Sequence, residues 1–74
     1  MAGKNQHVVK VGDRWAVKGE GNTKATSLHR TQTEATKVAK SIAVNQKSEL
    51  LVHDEKGYIS RRNSYGNDPY PPKG

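Results

Sequence analysis

The helix-forming segment constrains this chain more than any other feature. Ala35, Val38, Ala39, Ile42 and Ala43 recur at the i, i+3, i+4, i+7, i+8 spacing of one helical face, and Thr31-Gln32-Thr33-Glu34 stands directly before them. That prefix has the form of a capping box. The Thr31 hydroxyl can accept from the third helical amide, and the Glu34 side chain can reach back to the Thr31 amide. The spacing predicts a helix from Thr31 to about Asn45 or Gln46 with a single apolar stripe. One such helix must bury its stripe against one face of a sheet, and a stripe rich in alanine can lie close to it.

The flanking segments supply the strands. In Gln6–Val11, His7, Val9 and Val11 alternate with Val8 and Lys10. Gly12-Asp13 is a turn pair, and in Arg14–Glu20 the residues Trp15 and Val17 take one face, Ala16 and Lys18 the other. Two alternating runs joined by such a pair read as a hairpin. Gly19-Glu20-Gly21-Asn22 turns again, and Ala25–His29, low in apolar content, returns as an optional third strand. After the helix, Glu49–His53 is an apolar strand, Asp54–Gly57 a loop whose glycine suits the φ > 0 position of a type I turn with a bulge, and Tyr58–Arg62 pairs back. Asn63–Gly74 holds three prolines, which fix φ and remove donors, so this end is expected to leave the ladder as an extended, polyproline-like arm or strap.

The expected architecture is α+β: an antiparallel sheet of four to five strands (two hairpins) with one α-helix packed on one face, in the order β-β-(β)-α-β-β, and an extended Pro-rich C-terminal tail. Residues 1–5 are expected to be disordered, 6–62 to form a single α+β domain, and 63–74 to form the tail. Trp15 is the natural core anchor of so small a domain. Tyr58, opposite in parity to Ile59, is expected at the surface.

The chain has 74 residues and no cysteine, which removes disulfides, thiolate chemistry and cysteine-based zinc sites. A domain this small buries only about 60% of its unfolded surface, so a homodimer is one expected route to stability. No run approaches the ~20 apolar residues of a membrane span. Met1-Ala2-Gly3-Lys4-Asn5-Gln6 lacks the apolar centre of a signal peptide, so the expected address is the cytoplasm.

A resemblance emerges from His7-Val8-Val9, Trp15-Ala16-Val17-Lys18, Thr31-Gln32-Thr33-Glu34-Ala35, Ser48-Glu49-Leu50-Leu51-Val52-His53 and the closing Ser64-Tyr65-Gly66-Asn67-Asp68-Pro69-Tyr70-Pro71-Pro72-Lys73. Together they resemble a bacterial family catalogued as domain of unknown function 2188, over nearly the whole chain. The closing run is the most specific part. The resemblance implies short bacterial proteins and carries over no activity and no catalytic residue.

Catalytic equipment is hard to assemble from these residues. There is no Gly-x-Ser-x-Gly elbow, His53 and Asp54 are adjacent strand residues that point to opposite faces, and a chain this size has little room for a pocket of about 300 Å³. Gly19-Glu20-Gly21-Asn22 lacks the remaining elements of a phosphate loop. His7, His29 and His53 stand 22 and 24 residues apart, without the close pair of common metal sites, and read as ordinary strand histidines unless adjacent strands bring two together. No enzyme, cofactor, metal or small-molecule substrate is expected.

Charge is the positive signal: 13 Lys+Arg against 7 Asp+Glu give a net charge of +6. A basic domain is suited to polyanions. Lys37, Lys40 and Lys47 form the solvated face of the helix. Lys10, Lys18, Lys24, Arg30, Arg61 and Arg62 are the candidate nucleic-acid contacts, with Lys10 and Lys18 expected on the wet face of the sheet near one arginine. The expected function is a small basic non-enzymatic binding module for nucleic acid acting through a basic sheet face. The alternative is a protein-interaction or homodimeric assembly module, with Tyr65, Tyr70 and Pro71 of the tail as the partner-binding residues.

Overall fold

The helix forms where its stripe requires and then dictates the sheet. In the computed structural model, which describes residues 4–22 and 24–65, the elements are β1 (Gln6–Val11), β2 (Arg14–Gly19), β3 (Ser27–His29), α1 (Gln32–Gln46), β4 (Glu49–His53) and β5 (Ile59–Ser64). Residues 1–3 of the N-terminal segment, and Tyr70 and Pro71 of the tail, lie outside the described residues. Thr31 caps α1 in an extended conformation, its Oγ1 accepting from the Glu34 amide at 3.1 Å. The return bond from the Thr31 amide to the Glu34 carboxylate is not made, so only half of the expected capping box forms. The other end closes at Lys47, which takes the left-handed conformation with φ 54°, while the Ser48 amide reaches back to the Ala43 carbonyl at 2.9 Å. This is the helix ending in which glycine is usual.

The five strands form one sheet in the spatial order β3-β2-β1-β4-β5. Two expectations are corrected here. The sheet is mixed rather than antiparallel, because β1 and β4 run parallel with His7 opposite Leu51. Its spatial order is also not the chain order. A parallel neighbour cannot be reached by a tight turn and needs a crossover. Here α1 is that crossover, carrying the chain from the β3 edge over β2 and β1 to lay β4 beside β1. The β1–β2 hairpin turns on Gly12 at φ +62°, its first central residue. The turn is one whose twist matches that of the strands.

Strand alternation sorts the side chains. Val8, Trp15, Val17, Leu50 and Val52 face α1 and pack with Ala35, Ala39 and Ala43, with Val38, Ile42 and Tyr65 at the margin. Leu50, Val8 and Val17 are the largest fully buried side chains, each contributing roughly 1.5–3 kcal/mol. The opposite face carries His7, Val9, Ala16, Lys18, Leu51 and Arg62, as the pairing registers require. Ala16 and Leu51 are buried there without a helix above them.

The helix lies over β1, β2, β3 and β4 and does not reach β5. All six residues of β5 are exposed. This strand runs to Ser64, so Asn63 and Ser64 do enter the ladder, opposite Leu50 and Glu49. The first proline is Pro69, too far along the chain to impose its geometry on them. A bulge at Val52/His53 leaves Ser60 unpaired and sets Ile59 opposite His53. At the other margin, Lys4 and Asn5 are tied in: the Lys4 amide donates to Gln46 Oε1 at 3.0 Å and Asn5 Oδ1 accepts from the Glu49 amide at 2.9 Å.

Because the helix approaches the sheet through Ala35, Ala39 and Ala43, all fully buried, an enlarged side chain there has no space. Ala39→Leu is expected to lower stability by about 1–3 kcal/mol, read as a fall in the urea midpoint. Val44→Leu, on the exposed side of the helix, is expected to leave the midpoint nearly unchanged.

Candidate functional site

The parallel β1–β4 pairing assembles a polar network that crosses several elements. His7 on β1 and His53 on β4 lie on the face away from the helix, His7 Nδ1 standing 3.0 Å from His53 Nε2. Their rings are nearly end to end, with centroids 5.2 Å apart and planes tilted by 31°. The outer nitrogen of each ring is also engaged. His7 Nε2 meets Glu20 Oε1 at 3.0 Å, and His53 Nδ1 meets the Gly57 carbonyl at 3.1 Å. The network therefore ties the end of β2, β1, β4 and the β4–β5 loop together. Beside it opens a cleft of about 250 Å³, to which Lys18, Gly21 and Asn22 also contribute.

Hydrogen counting fixes the chemistry of this row. A carboxylate and a carbonyl can only accept, so His7 Nε2 and His53 Nδ1 must each carry a hydrogen. If both rings are neutral, the two inner nitrogens are then bare lone pairs facing each other. One shared proton between them satisfies all three contacts; a further proton would set two N–H groups against each other. The hydrogen bond from His7, aided by one from Asn5, holds the Glu20 carboxyl below its usual range.

Gly57 supplies its carbonyl from a loop built for that purpose. Its φ of +95° is open to glycine. Asp54 Oδ1 accepts from the Lys56 and Tyr58 amides at 2.9 and 3.0 Å, and the Gly57 amide returns to the Asp54 carbonyl at 3.0 Å. The Asp54 carboxylate is therefore occupied by the loop backbone and does not orient His53. A second cleft of about 420 Å³ opens between Trp15, Gln32 and the Asp54–Lys56 loop, which is larger than the chain's length led one to expect.

The six basic candidates do not converge. Lys10 pairs in register with Trp15, on the helix side of the sheet, its Nζ 5.4 Å from the indole ring. Lys18 lies on the opposite side, in one row with His7, Leu51 and Arg62. The expected pairing of Lys10 with Lys18 on one wet face therefore does not occur, because strand parity separates them. Arg61, opposite Val52, points to the helix side beyond the reach of the helix, and Arg62 points to the other. Arg62 is engaged by Glu49 at 3.3 Å. Lys24 and Arg30 are exposed beside β3, four strand spacings, roughly 19 Å, from β5. Of the tail candidates, Tyr65 is half-buried against the core, and its amide donates to the Ser48 carbonyl at 3.1 Å. His29 is apart from the other histidines, 2.8 Å from Ser27 Oγ. No group of three or more His, Cys, Asp or Glu side chains is placed to hold a metal ion among the described residues. No helix among them is long and apolar enough to cross a membrane.

Sequence reasoning missed the His7–His53 pair and its partners Glu20 and Gly57. The strand-helix-strand order around α1 allowed a crossover to a parallel neighbour, but it did not say which strand β4 would join.

These features describe a small α+β domain in which a mixed sheet carries one crossover helix, a histidine pair bridges the two central strands, and one edge strand lies uncovered. The chain belongs to the family described as "Uncharacterized protein conserved in bacteria (DUF2188)", whose pattern matches residues 6–65. It is 34% identical over 67 residues to "Uncharacterized protein YdaT" of Bacillus subtilis (strain 168), an alignment covering 90% of this chain and 45% of that protein. The chain thus spans under half the length of that curated relative. No solved structure matches it.

The hydrogen count makes a spectroscopic prediction. In chelator-treated protein near neutral pH, nitrogen-15 NMR is expected to find His53 protonated at Nδ1 and a slowly exchanging hydrogen between His7 Nδ1 and His53 Nε2. A His53 ring protonated only at Nε2 contradicts the count.

Proposed function

We propose that this chain is a small, basic, non-enzymatic binding module that contacts nucleic acid with its exposed edge strand β5 and the β4–β5 loop. The observation that carries the reading is the state of β5: six exposed residues beyond the edge of the helix, with Arg61 and Arg62 aimed to opposite sides. Lys56 and Tyr58, both exposed, extend that surface into the hairpin loop. Arginines projecting from an exposed edge strand suit the phosphates of a nucleic-acid backbone. The net charge of +6 draws the molecule to such a partner. The edge strand takes precedence over the open sheet face, where Glu20 and Glu49 stand among Lys18 and Arg62.

An exposed six-residue edge also invites pairing with a second copy. Two-fold antiparallel pairing of two β5 strands centred on either arginine would set that arginine opposite its own copy in the other chain, and like charges directly opposite each other destabilise a ladder. That favours an anionic partner over self-association at this edge.

Mobility-shift titrations with duplex DNA, single-stranded DNA and RNA at about 50 and 200 mM salt test the proposal. Binding is expected to weaken steeply with salt. Replacing Arg61 and Arg62 with alanine is expected to weaken it by about tenfold or more and to reduce the log–log salt slope by about 2. Replacing Lys37 and Lys40 on the helix is expected to change it much less. Absence of binding at low salt would reject the reading, and a dimer by light scattering that ignores nucleic acid would replace it with the assembly role.

A further inference from the structure

We propose that His7 and His53 form a two-imidazole binding site for a divalent transition-metal ion, Cu(II) foremost, held by His7 Nδ1 and His53 Nε2. The proposal starts from the same count of hydrogens. With the outer nitrogens committed as donors to Glu20 and Gly57, the two inner nitrogens are left to share one cation, whether a proton or a metal ion.

Two features suit a metal. The first is the outer shell. Metal-ligating histidines usually donate their other ring N–H to a carboxylate or a backbone carbonyl, which fixes the tautomer and the ring's direction. His7 has the carboxylate, Glu20, and His53 has the carbonyl, Gly57, so each ring already presents the correct nitrogen. The second is proximity. Two ring nitrogens 3.0 Å apart are close enough for small ring movements to bring both within about 2.0–2.1 Å of one ion, and among divalent first-row metals such a site binds Cu(II) most tightly. The end-to-end rings must pivot to converge their lone pairs on the ion. His7 lies on the uncovered face with its side chain 25% exposed, which leaves room for that movement.

Glu20 meets the far nitrogen of His7 and is not a ligand. The chain therefore supplies two donors, and water from the adjoining cleft of about 250 Å³ fills the remaining positions. Lys18 lines the same cleft and opposes the metal's charge, so the site depends on the chelating pair and on the Glu20 carboxylate.

The test is titration of the full 74-residue chain with Cu(II) chloride, and in parallel Ni(II) chloride, followed by calorimetry and electron paramagnetic resonance of the copper form. The expected result is one Cu(II) per chain with nitrogen coupling from two imidazoles. His7→Ala and His53→Ala are each expected to lose about tenfold or more in affinity, and Glu20→Gln to lose about tenfold while keeping the two-nitrogen signature. His29→Ala should bind as the unaltered chain does. Circular dichroism checks that each variant is folded, and His53→Gln replaces any alanine variant that is not. Unchanged affinity and spectra in the folded His7 and His53 variants would overturn the proposal, as would copper held only at the chain's amino terminus, or no binding near neutral pH.

Discussion

The parallel pairing of β1 with β4 is the contact on which the rest of the molecule depends. It joins an N-terminal hairpin to a C-terminal one across the middle of the sheet, in the register Gln6–Leu50, His7–Leu51, Val8–Val52. A parallel neighbour has to be delivered by a crossover, and α1 serves as one because its three buried alanines let it lie close over the strands it crosses. The same pairing places Val8 beside Leu50 and Val52 under the helix and leaves His7 and His53 on the other face. It also pushes β5 to the edge, beyond the helix. Core, polar network and exposed edge strand are consequences of one register.

The two faces of the sheet then have different tasks. The helix side is an apolar layer dominated by Leu50, Val8, Val17 and Trp15. The other side has no covering element among the described residues, yet Ala16 and Leu51 are buried there. Several of its polar members are paired: His7 with His53 and Glu20, Arg62 with Glu49. Charges engaged in this way leave less for a polyanion than the bare count of lysines and arginines suggests. Arg61, without an acidic partner among the described residues and outside the helix's cover, is better placed to meet one.

What was legible in the sequence was what is decided locally. The helix stripe, the Thr31 cap, the Gly12-Asp13 turn and the Asp54–Gly57 loop are set by residues within a few positions of each other, and each forms. Trp15 is the buried anchor and Tyr58 is exposed, as alternation implies. The β1–β4 pairing was not legible, because no turn connects those strands and 37 residues lie between Val11 and Glu49. Everything built on that pairing was hidden with it. A histidine spacing that looks uninformative becomes a contact of 3.0 Å. The separation of Lys10 from Lys18 is local instead: Lys10 shares the face of Trp15, and parity within β1 and β2 already divides the two lysines, since Val8 and Lys10 share a face and Lys18 opposes Val17. Asn63 and Ser64 reach the ladder because the prolines begin only at Pro69.

Backbone nuclear Overhauser contacts between β1 and β4 in the folded chain test the central pairing most directly. The account requires contacts that advance together along both strands, from Gln6–Leu50 through His7–Leu51 to Val8–Val52, with His7 and His53 ring protons in mutual contact. Contacts that run in opposite directions along the two strands, or β1 and β4 with none between them, would contradict it.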